Sequence, residues 1–249
     1  MVTTDTNASP QPFSTLAAFL AGIRIVMVNT TLPANIGSAA RAMHTMGLTQ
    51  LTVVAPKLPI DEDAYAHAAG AKAILDAVTI CDTLEQALQD CHWVIATSSR
   101  QRHIPRPVLS PRQAAELMVT NFQNLDDVMT DAAHRNWQLA IVFGREDRGL
   151  TNEELQLADY HIQIPANAEY GVLNVAAAVQ VIASVFYETA ELALTAKTAA
   201  EKSIDLTFRQ QWDEPPISNE QRLQLENRLL TLLENLDIYN PAQSKVMPQ

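Results

Sequence analysis

The sequence is poor in glycine, with seven glycines in 249 residues. Glycine that is so scarce marks backbone that must adopt positive φ or that another group must approach closely. Gly144, Gly149 and Gly171 fall in two short segments, FGREDRGL (143–150) and EYGVLNVAAAVQVI (169–182), and each segment follows a strand-like run. These two loops predict a small-molecule site whose walls are largely main chain.

Three motifs of common α/β enzymes are absent. No GxGxxG follows the first strand-like run, Ile23–Asn29, and this absence disfavours a dinucleotide site of the Rossmann type. The sequence also lacks GxxxxGK followed by Ser or Thr, so it has no P-loop for a nucleoside triphosphate. GxSxG is missing as well, which excludes the nucleophile elbow of the α/β-hydrolases.

Positive charge is also scarce, since 17 Lys and Arg stand against 28 Asp and Glu, a net charge of -11. An acidic chain binds nucleic acid poorly unless it carries a local basic patch. One patch runs from Ser98 to Arg112 and contains four arginines, His103 and no acidic residue. Its composition is as typical of a solvated surface loop as of a phosphate-binding segment.

Cysteine and long apolar runs are few. The two cysteines, Cys81 and Cys91, have neither CxxC spacing nor histidines at metal-ligand spacing, so we predict reduced structural thiols and no metal site. No uninterrupted apolar run reaches the roughly 18 residues that span a bilayer. The apolar segment Phe13–Gly22 follows Asp5 and no basic residue, which is unlike a signal peptide. We therefore predict a cytoplasmic protein that makes no membrane contact.

Strand-like and helix-like segments alternate along most of the chain. Continuous apolar strands that alternate with helices are typical of an α/β fold with a mainly parallel sheet covered by helices on both faces. The predicted organisation is a flexible N-terminal extension over residues 1–21, a folded domain over 22–195, a linker over 196–216 and an amphipathic helical tail over 217–249. A capping box, Ser218 to Gln221, marks the start of the tail helix, which we expect to dock on the body or on a partner chain.

The first predicted helix, Asn35–Gly47, carries a candidate functional arginine. Ile36, Ala40 and Met43 share one face at helical spacing and are predicted to pack on the sheet. Arg41 lies on the opposite side of a helix that begins near the carboxyl end of a strand. The spacing leaves two interpretations open, a solvated surface arginine and an arginine that contacts substrate.

Three ordered segments resemble the motifs of the SPOUT methyltransferases of the TrmH branch. They are NIGSAARAM (35–43), FGREDRGL (143–150) and the run that begins at Leu173-Asn174. Supporting matches are AAGA (68–71), ATSSRQR (96–102), GLTNEEL (149–155) and AVQVI (178–182). Within that branch the chain is most similar to enzymes that methylate the ribose 2′-OH of cytidine or uridine at position 32 of tRNA, at the start of the anticodon loop.

The resemblance implies a deep C-terminal trefoil knot, a homodimer formed through the knot region, and S-adenosylmethionine bound in a bent conformation in the knot. The cofactor-binding positions that it implies are Thr97, Ser98, Ser99, Gly144, Ile164, Gly171, Val172 and Leu173. The expected RNA partner is the tRNA anticodon stem-loop. The predicted RNA-binding positions are Arg41, Arg100, Arg102, Arg106 and Arg148.

Arg41 matches the essential arginine of the family's first motif, which is proposed there to orient a substrate phosphate and to help deprotonate the ribose hydroxyl. Because a guanidinium stays cationic at ordinary pH, we favour an electrostatic and positioning role for Arg41. Asn35, Arg145, Glu146 and Asn174 are the further candidate catalytic residues. For Glu146 and Asn174 a purely bracing role in the knot loops is equally open.

The sequence departs from the family in two places. Gly171-Val172 stands where relatives usually carry a serine before the Leu-Asn pair, and the chain ends at Val246–Gln249, where relatives continue with an arginine-rich segment. We therefore expect a truncated tail. Two alternative functions stay open: the same reaction on ribosomal RNA, and a non-catalytic knotted RNA-binding factor. The intact Arg41 disfavours the second alternative, and the missing serine favours it.

Overall fold

The computed structural model describes residues 15–98, 106–128, 137–167, 169, 171–195, 217–236 and 238. The elements in chain order are α1 (Leu16–Ala21), β1 (Ile23–Val28), α2 (Pro33–Thr45), β2 (Gln50–Val54), α3 (Glu62–Ala68), a 3-10 turn (Ala69–Ala71), α4 (Lys72–Asp76), β3 (Thr79–Cys81), α5 (Leu84–Leu88), β4 (Trp93–Thr97), β5 (Val108–Leu109), α6 (Pro111–Val128), β6 (Leu139–Phe143), α7 (Asn152–Gln156), β7 (Tyr160–Ile162), α8 (Val175–Thr195) and α9 (Asn219–Asn235).

The seven strands form one sheet in the order β3-β2-β1-β6-β4-β7-β5, and every neighbouring pair is parallel. The predicted mainly parallel sheet is therefore confirmed. Parallel pairing brings the carboxyl ends of the strands to one side of the sheet, called here the carboxyl edge. The sequence did not predict β5, because two residues are too short to show a periodicity.

Helices cover both faces of the sheet, as predicted. Successive side chains of β1 point to opposite faces, so Ile25 and Met27 enter the larger core beneath α2, α6 and α8, whereas Val26 and Val28 enter a smaller core beneath α5 and α7. A sheet buried on both faces requires apolar side chains at consecutive positions, and this is why its strands read as continuous apolar runs.

Helix α1 corrects the predicted domain boundary. Residues 16–21 were expected to belong to a flexible extension, but Phe19 and Leu20 are buried in the larger core. The Phe19 ring lies 5.4 Å from that of Phe122 and 5.6 Å from that of Trp137, whose indole N–H donates to the Phe19 carbonyl. The apolar segment Phe13–Gly22 therefore contains a short helix that packs in the core, and the described part of the folded domain begins at residue 15.

The strand order bears on the predicted knot. Strand β7 lies between β4 and β5 in the sheet, although it follows both in the chain. A connection therefore joins two strands, β4 and β5, that are not neighbours in the sheet. Residues 99–105 of that connection lie outside the described residues, as does the linker predicted over 196–216, so the knot and the linker both stay predictions.

Helix α8 is, by length and composition, apolar enough to cross a membrane, with a mean hydropathy of 1.3 over Val175–Leu194. It packs against α2 and α6, and Val179, Ile182 and Phe186 are completely buried. The sequence contains no uninterrupted apolar run here, because Gln180 and Glu188 interrupt the helix. About a third of this span is buried, and its buried residues belong to the larger core.

The tail helix α9 docks by its first turn on the sheet side opposite the carboxyl edge. The Asn219 N–H donates to the Cys91 carbonyl at 2.7 Å, and the capping box that begins at Ser218 is present as predicted. Arg222 pairs with Asp159 and donates to the Leu157 carbonyl at 2.9 Å. The tail therefore docks on the body, as expected.

Candidate active site

Helix α2 begins at the carboxyl edge, and a residue from a distant part of the chain caps it. Its own N-cap residue, Leu32, has no side chain that can accept a hydrogen bond. Glu146, in the loop after β6, accepts hydrogen bonds from the N–H groups of Thr31 at 3.0 and 3.2 Å and of Leu32 at 3.4 Å. A carboxylate at this position satisfies donors that a helix start leaves unpaired and suits the positive end of the helix dipole.

A hydrogen-bonded network joins the three family motifs. The Asn35 amide donates to Glu146 Oε1 at 2.8 Å, and its oxygen accepts from the Asn174 amide at 3.0 Å. Asn174 in turn accepts from the Ala176 N–H at 2.9 Å and so caps the start of α8. Asn35 is 7% exposed, so its side chain is shielded from competing water. We call Asn35, Glu146 and Asn174 the motif network.

The pKa of Glu146 is lowered. Burial alone raises the pKa of this carboxyl, but the hydrogen bonds from Asn35 and from the backbone of Thr31 and Leu32 outweigh burial and hold it below its usual value. Glu146 is therefore ionised at neutral pH, with its oxygens occupied by donors. A weakly basic carboxylate of this kind braces its surroundings better than it accepts a proton from substrate.

Glu146→Ala is expected to destabilise the fold by about 2 kcal/mol, because two backbone N–H groups and the Asn35 amide lose their acceptor. The lowered pKa means that the ionised carboxylate stabilises the fold above its unfolded pKa, near 4.5, and that this contribution is lost as the pH falls through the folded value. Urea unfolding between pH 7 and pH 3 should show a smaller loss of stability on acidification for Glu146→Ala than for wild type. Glu234→Ala, at an exposed position on α9, is the control. An equal acid sensitivity of Glu146→Ala and wild type would contradict this account.

Arg145 is held within the loop that it begins. Both of its terminal nitrogens donate to the Glu154 carboxylate at 2.8 Å, and Nη2 also donates to Asn29 Oδ1 at 2.6 Å. Burial raises the pKa of Glu154, but hydrogen bonds from Arg145 and Thr151 outweigh burial and lower it. Glu154 also closes the predicted capping box of α7 with Thr151. The structure thus places Arg145 as a brace between β1 and α7.

A pocket of about 180 Å³ opens at the carboxyl ends of β4, β6 and β7. Seven of the eight positions predicted to bind cofactor line it: Thr97, Ser98, Gly144, Ile164, Gly171, Val172 and Leu173. The eighth, Ser99, lies outside the described residues. A Cβ on Gly171 would lie 2.9 Å from the Asn167 carbonyl oxygen, so this part of the wall requires glycine. The sequence segments with glycine therefore converge on one pocket.

Arg41 projects away from the core. Ile36, Ala40 and Met43 are buried as predicted, whereas Arg41 is exposed. It forms no ion pair or hydrogen bond with another described residue, and it is not among the residues that line the pocket. It lies six residues, or about 9 Å of helix rise, beyond Asn35. The guanidinium is thus available to a ligand that approaches from solvent.

Among the described arginines that were predicted to bind RNA, Arg106 and Arg148 lie on opposite sides of the sheet. Arg148 lines the pocket and is exposed beside Asp147, at 3.0 Å. Arg106 precedes β5, on the side of the sheet opposite the pocket, and donates to the Gln156 carbonyl at 3.2 Å. Arg100 and Arg102 lie outside the described residues.

Two further features complete the description of the chemistry. Cys81 and Cys91 are both free, and burial raises the pKa of the Cys91 thiol to about 12, which leaves it unreactive. Among the described residues, no group of three His, Cys, Asp or Glu side chains is arranged to hold a metal ion.

Asn29 is a residue of the site that we did not predict from the sequence. An asparagine directly after a strand is a known signal for left-handed backbone, and the φ of Asn29 is 49°.

Known proteins resemble the chain over the region that contains these motifs. Residues 22–184 match the SpoU rRNA methylase family. Over 160 residues the chain is 51% identical to the tRNA (cytidine/uridine/adenosine-2′-O-)-methyltransferase TrmJ of Pseudomonas aeruginosa, a match that covers 64% of this chain and 58% of that protein. It is 48% identical over 164 residues to the tRNA (cytidine/uridine-2′-O-)-methyltransferase TrmJ of Pectobacterium atrosepticum, covering 66% of this chain and 63% of that protein.

Among solved structures, the chain is similar to TrmJ from Z. mobilis, with a TM-score of 0.68 and 29% identity over 89% of this chain and 84% of that chain. The matches to the two curated relatives span less than two thirds of those proteins' own length. The family match covers well over half of this chain and includes all three motifs. The chain therefore belongs to the SpoU methylase family, which confirms the predicted kinship with the SPOUT methyltransferases.

Proposed function

We propose that the chain transfers a methyl group from S-adenosylmethionine to the ribose 2′-OH of cytidine or uridine at position 32 of tRNA. The observation that carries this proposal is the convergence of seven motif-matched positions on one pocket, beside the network that joins all three motifs. The names of the TrmJ relatives support a tRNA substrate. We also propose a cytoplasmic location, where a tRNA substrate would be available.

The pocket suits the proposed cofactor. Its wall combines apolar side chains, among them Phe143, Ile162 and Ile164, with main chain at Gly144 and Gly171. Such a wall can enclose an adenosine and leave backbone groups for its polar atoms. When bound, S-adenosylmethionine would supply an electrophilic methyl group, and its sulfonium would become a neutral thioether as the S–C bond breaks and the C–O bond forms. The ribose 2′-OH releases its proton in this step, and the neutral thioether needs no general acid.

Arg41 is the residue proposed to act on the RNA. Its guanidinium is exposed and has no carboxylate partner among the described residues, so its charge is available to a substrate phosphate and to the oxygen that becomes negative during transfer. Stabilising that developing charge and holding the oxygen in line with the methyl group both lower the barrier. The loops that form the site are held together by hydrogen bonds of four residues: Asn35, Arg145, Glu146 and Asn174.

Exposed apolar side chains near the mouth of the pocket support the proposed homodimer. Val172 is 61% exposed and Leu173 is 41% exposed, and α8, which begins two residues after Leu173, exposes Val181 and Leu192. Exposed apolar side chains can be buried by association with a second chain. We propose that a second copy covers it through the knot region.

Incubation with unmodified tRNA and methyl-labelled S-adenosylmethionine tests the function. We expect one methyl group per tRNA at position 32, and no transfer to a tRNA with 2′-deoxyribose at that position alone, because the acceptor hydroxyl is missing. Transfer to ribosomal RNA but not to tRNA would overturn the tRNA assignment. Binding of RNA without transfer to either RNA would favour the non-catalytic alternative.

A further inference from the structure

A second cleft, called here the lysine cleft, opens beside the cofactor pocket. It has a volume of about 380 Å³ and is lined by Asn29, Thr31, Lys57, Arg145, Asp147 and Arg148. The loop from Arg145 to Arg148 also lines the pocket, so this loop forms a wall between the two cavities. The positions predicted to contact cofactor, Gly144 apart, lie on strands and loops that do not reach the cleft. The two cavities could therefore bind different ligands, the cofactor and the RNA, on either side of one loop.

The backbone around Lys57 is fixed in an uncommon conformation. Asn29 and Ala55, at the carboxyl ends of β1 and β2, both adopt left-handed backbone, with φ of 49° and 42°. The Asn29 amide donates to the Ala55 carbonyl at 3.0 Å, and the Lys57 N–H donates to the Thr30 carbonyl at 3.0 Å. Left-handed backbone at a non-glycine residue is strained, and such strain concentrates at functional sites.

Lys57 is the cation of the cleft that pairs with no acid among the described residues. Arg145 is neutralised by the two-point contact with Glu154, and Arg148 by Asp147. Lys57 is exposed and forms no ion pair with a described residue. The cleft thus retains one positive charge on a flexible side chain, next to the hydroxyl of Thr31 and the amide of Asn29. This combination suits a singly charged oxyanion.

We propose that the lysine cleft binds a phosphodiester of the substrate RNA next to the nucleotide that is methylated, with Lys57 as its counter-ion. The inference rests on the proposed function. RNA supplies one such anion per nucleotide, and a phosphate held on one side of the loop from Arg145 to Arg148 places the neighbouring ribose near the pocket on the other side. A lysine that neutralises one phosphate strengthens binding without reading sequence.

The salt dependence of RNA binding tests this assignment in the full chain saturated with S-adenosylhomocysteine. Lys57→Gln should weaken binding of an unmodified anticodon stem-loop several-fold and reduce the slope of log Kd against log salt by about 0.7 to 0.9, the value for one phosphate contact. Lys57→Arg should keep the wild-type slope. Lys72→Gln removes an exposed lysine of α4 that lines neither cavity and should leave the slope nearly unchanged.

Single neutral methylphosphonates next to the target nucleotide locate the contact. At one position the methylphosphonate should weaken binding of the RNA to the wild-type protein. The same methylphosphonate should not weaken RNA binding to Lys57→Gln any further. An equal loss of RNA affinity in Lys57→Gln and Lys72→Gln would overturn the proposal. So would a Lys57→Gln variant that binds S-adenosylhomocysteine less tightly but keeps the wild-type salt slope for RNA. If wild type methylates tRNA and the Lys57→Gln slope is unchanged, the cleft assignment alone fails. If wild type neither binds nor methylates RNA, the proposed function fails with it.

Discussion

Arg41→Ala is expected to reduce kcat/KM for tRNA methylation about 100- to 1,000-fold, the effect of removing one preorganised charge-stabilising donor. Calorimetry should find the affinity for S-adenosylmethionine within about two-fold of wild type, because Arg41 is exposed on α2 and does not line the pocket. The fold should be unaffected, since the side chain makes no described hydrogen bond. A large loss of kcat/KM with an unchanged affinity for S-adenosylmethionine would indicate that Arg41 acts on the RNA and not on the cofactor.

Two variants serve as controls for Arg41→Ala. Arg228→Ala removes an exposed arginine of α9 that lines neither cavity and lies outside the basic patch, and it should retain nearly full activity. Arg41→Lys keeps the charge but loses the planar, two-point geometry that a phosphate favours, so we expect an intermediate activity. A collapse of cofactor affinity in Arg41→Ala would show that this division of roles is wrong.

Gly144→Ala is expected to abolish cofactor binding and to destabilise the fold by about 3 kcal/mol or more, the range of severe overpacking. A Cβ at this position would lie 2.3 Å from the carbonyl carbon of Gly149 and 2.3 Å from the nitrogen of Leu150. Both atoms are backbone, so no side chain can rotate away. The loop after β6 must therefore open. This loop forms one wall of the pocket and carries Glu146 of the motif network.

Gly149→Ala is the matched control in the same loop. A Cβ on Gly149 meets no atom within 4 Å, and the strain arises from its φ of 71° alone. We expect a cost of about 1 kcal/mol, measured by urea unfolding, and measurable cofactor binding by calorimetry. Equal losses in the two variants would contradict the steric explanation and point to a general intolerance of the loop.

Sequence alone determined those features that depend on neighbours along the chain. All strands but β5 were predictable, because a sheet buried on both faces demands consecutive apolar residues. The starts of α7 and α9 were predictable because a capping box closes within four residues. The outward direction of Arg41 followed from helical spacing against Ile36, Ala40 and Met43. Scarce glycine singled out the two loops that line the pocket.

Tertiary structure decided which of these residues meet. Asn35 contacts Glu146 across 111 residues and Asn174 across 139, because β6 inserts between β1 and β4 in the sheet. The same order directs Arg145 into an ion pair and opens the cleft at Lys57, and the start of β5 carries Arg106 to the opposite side. Periodicity and capping depend on residues within one element. The order of strands in a sheet is set by packing between distant segments, so a local sequence pattern cannot predict that order.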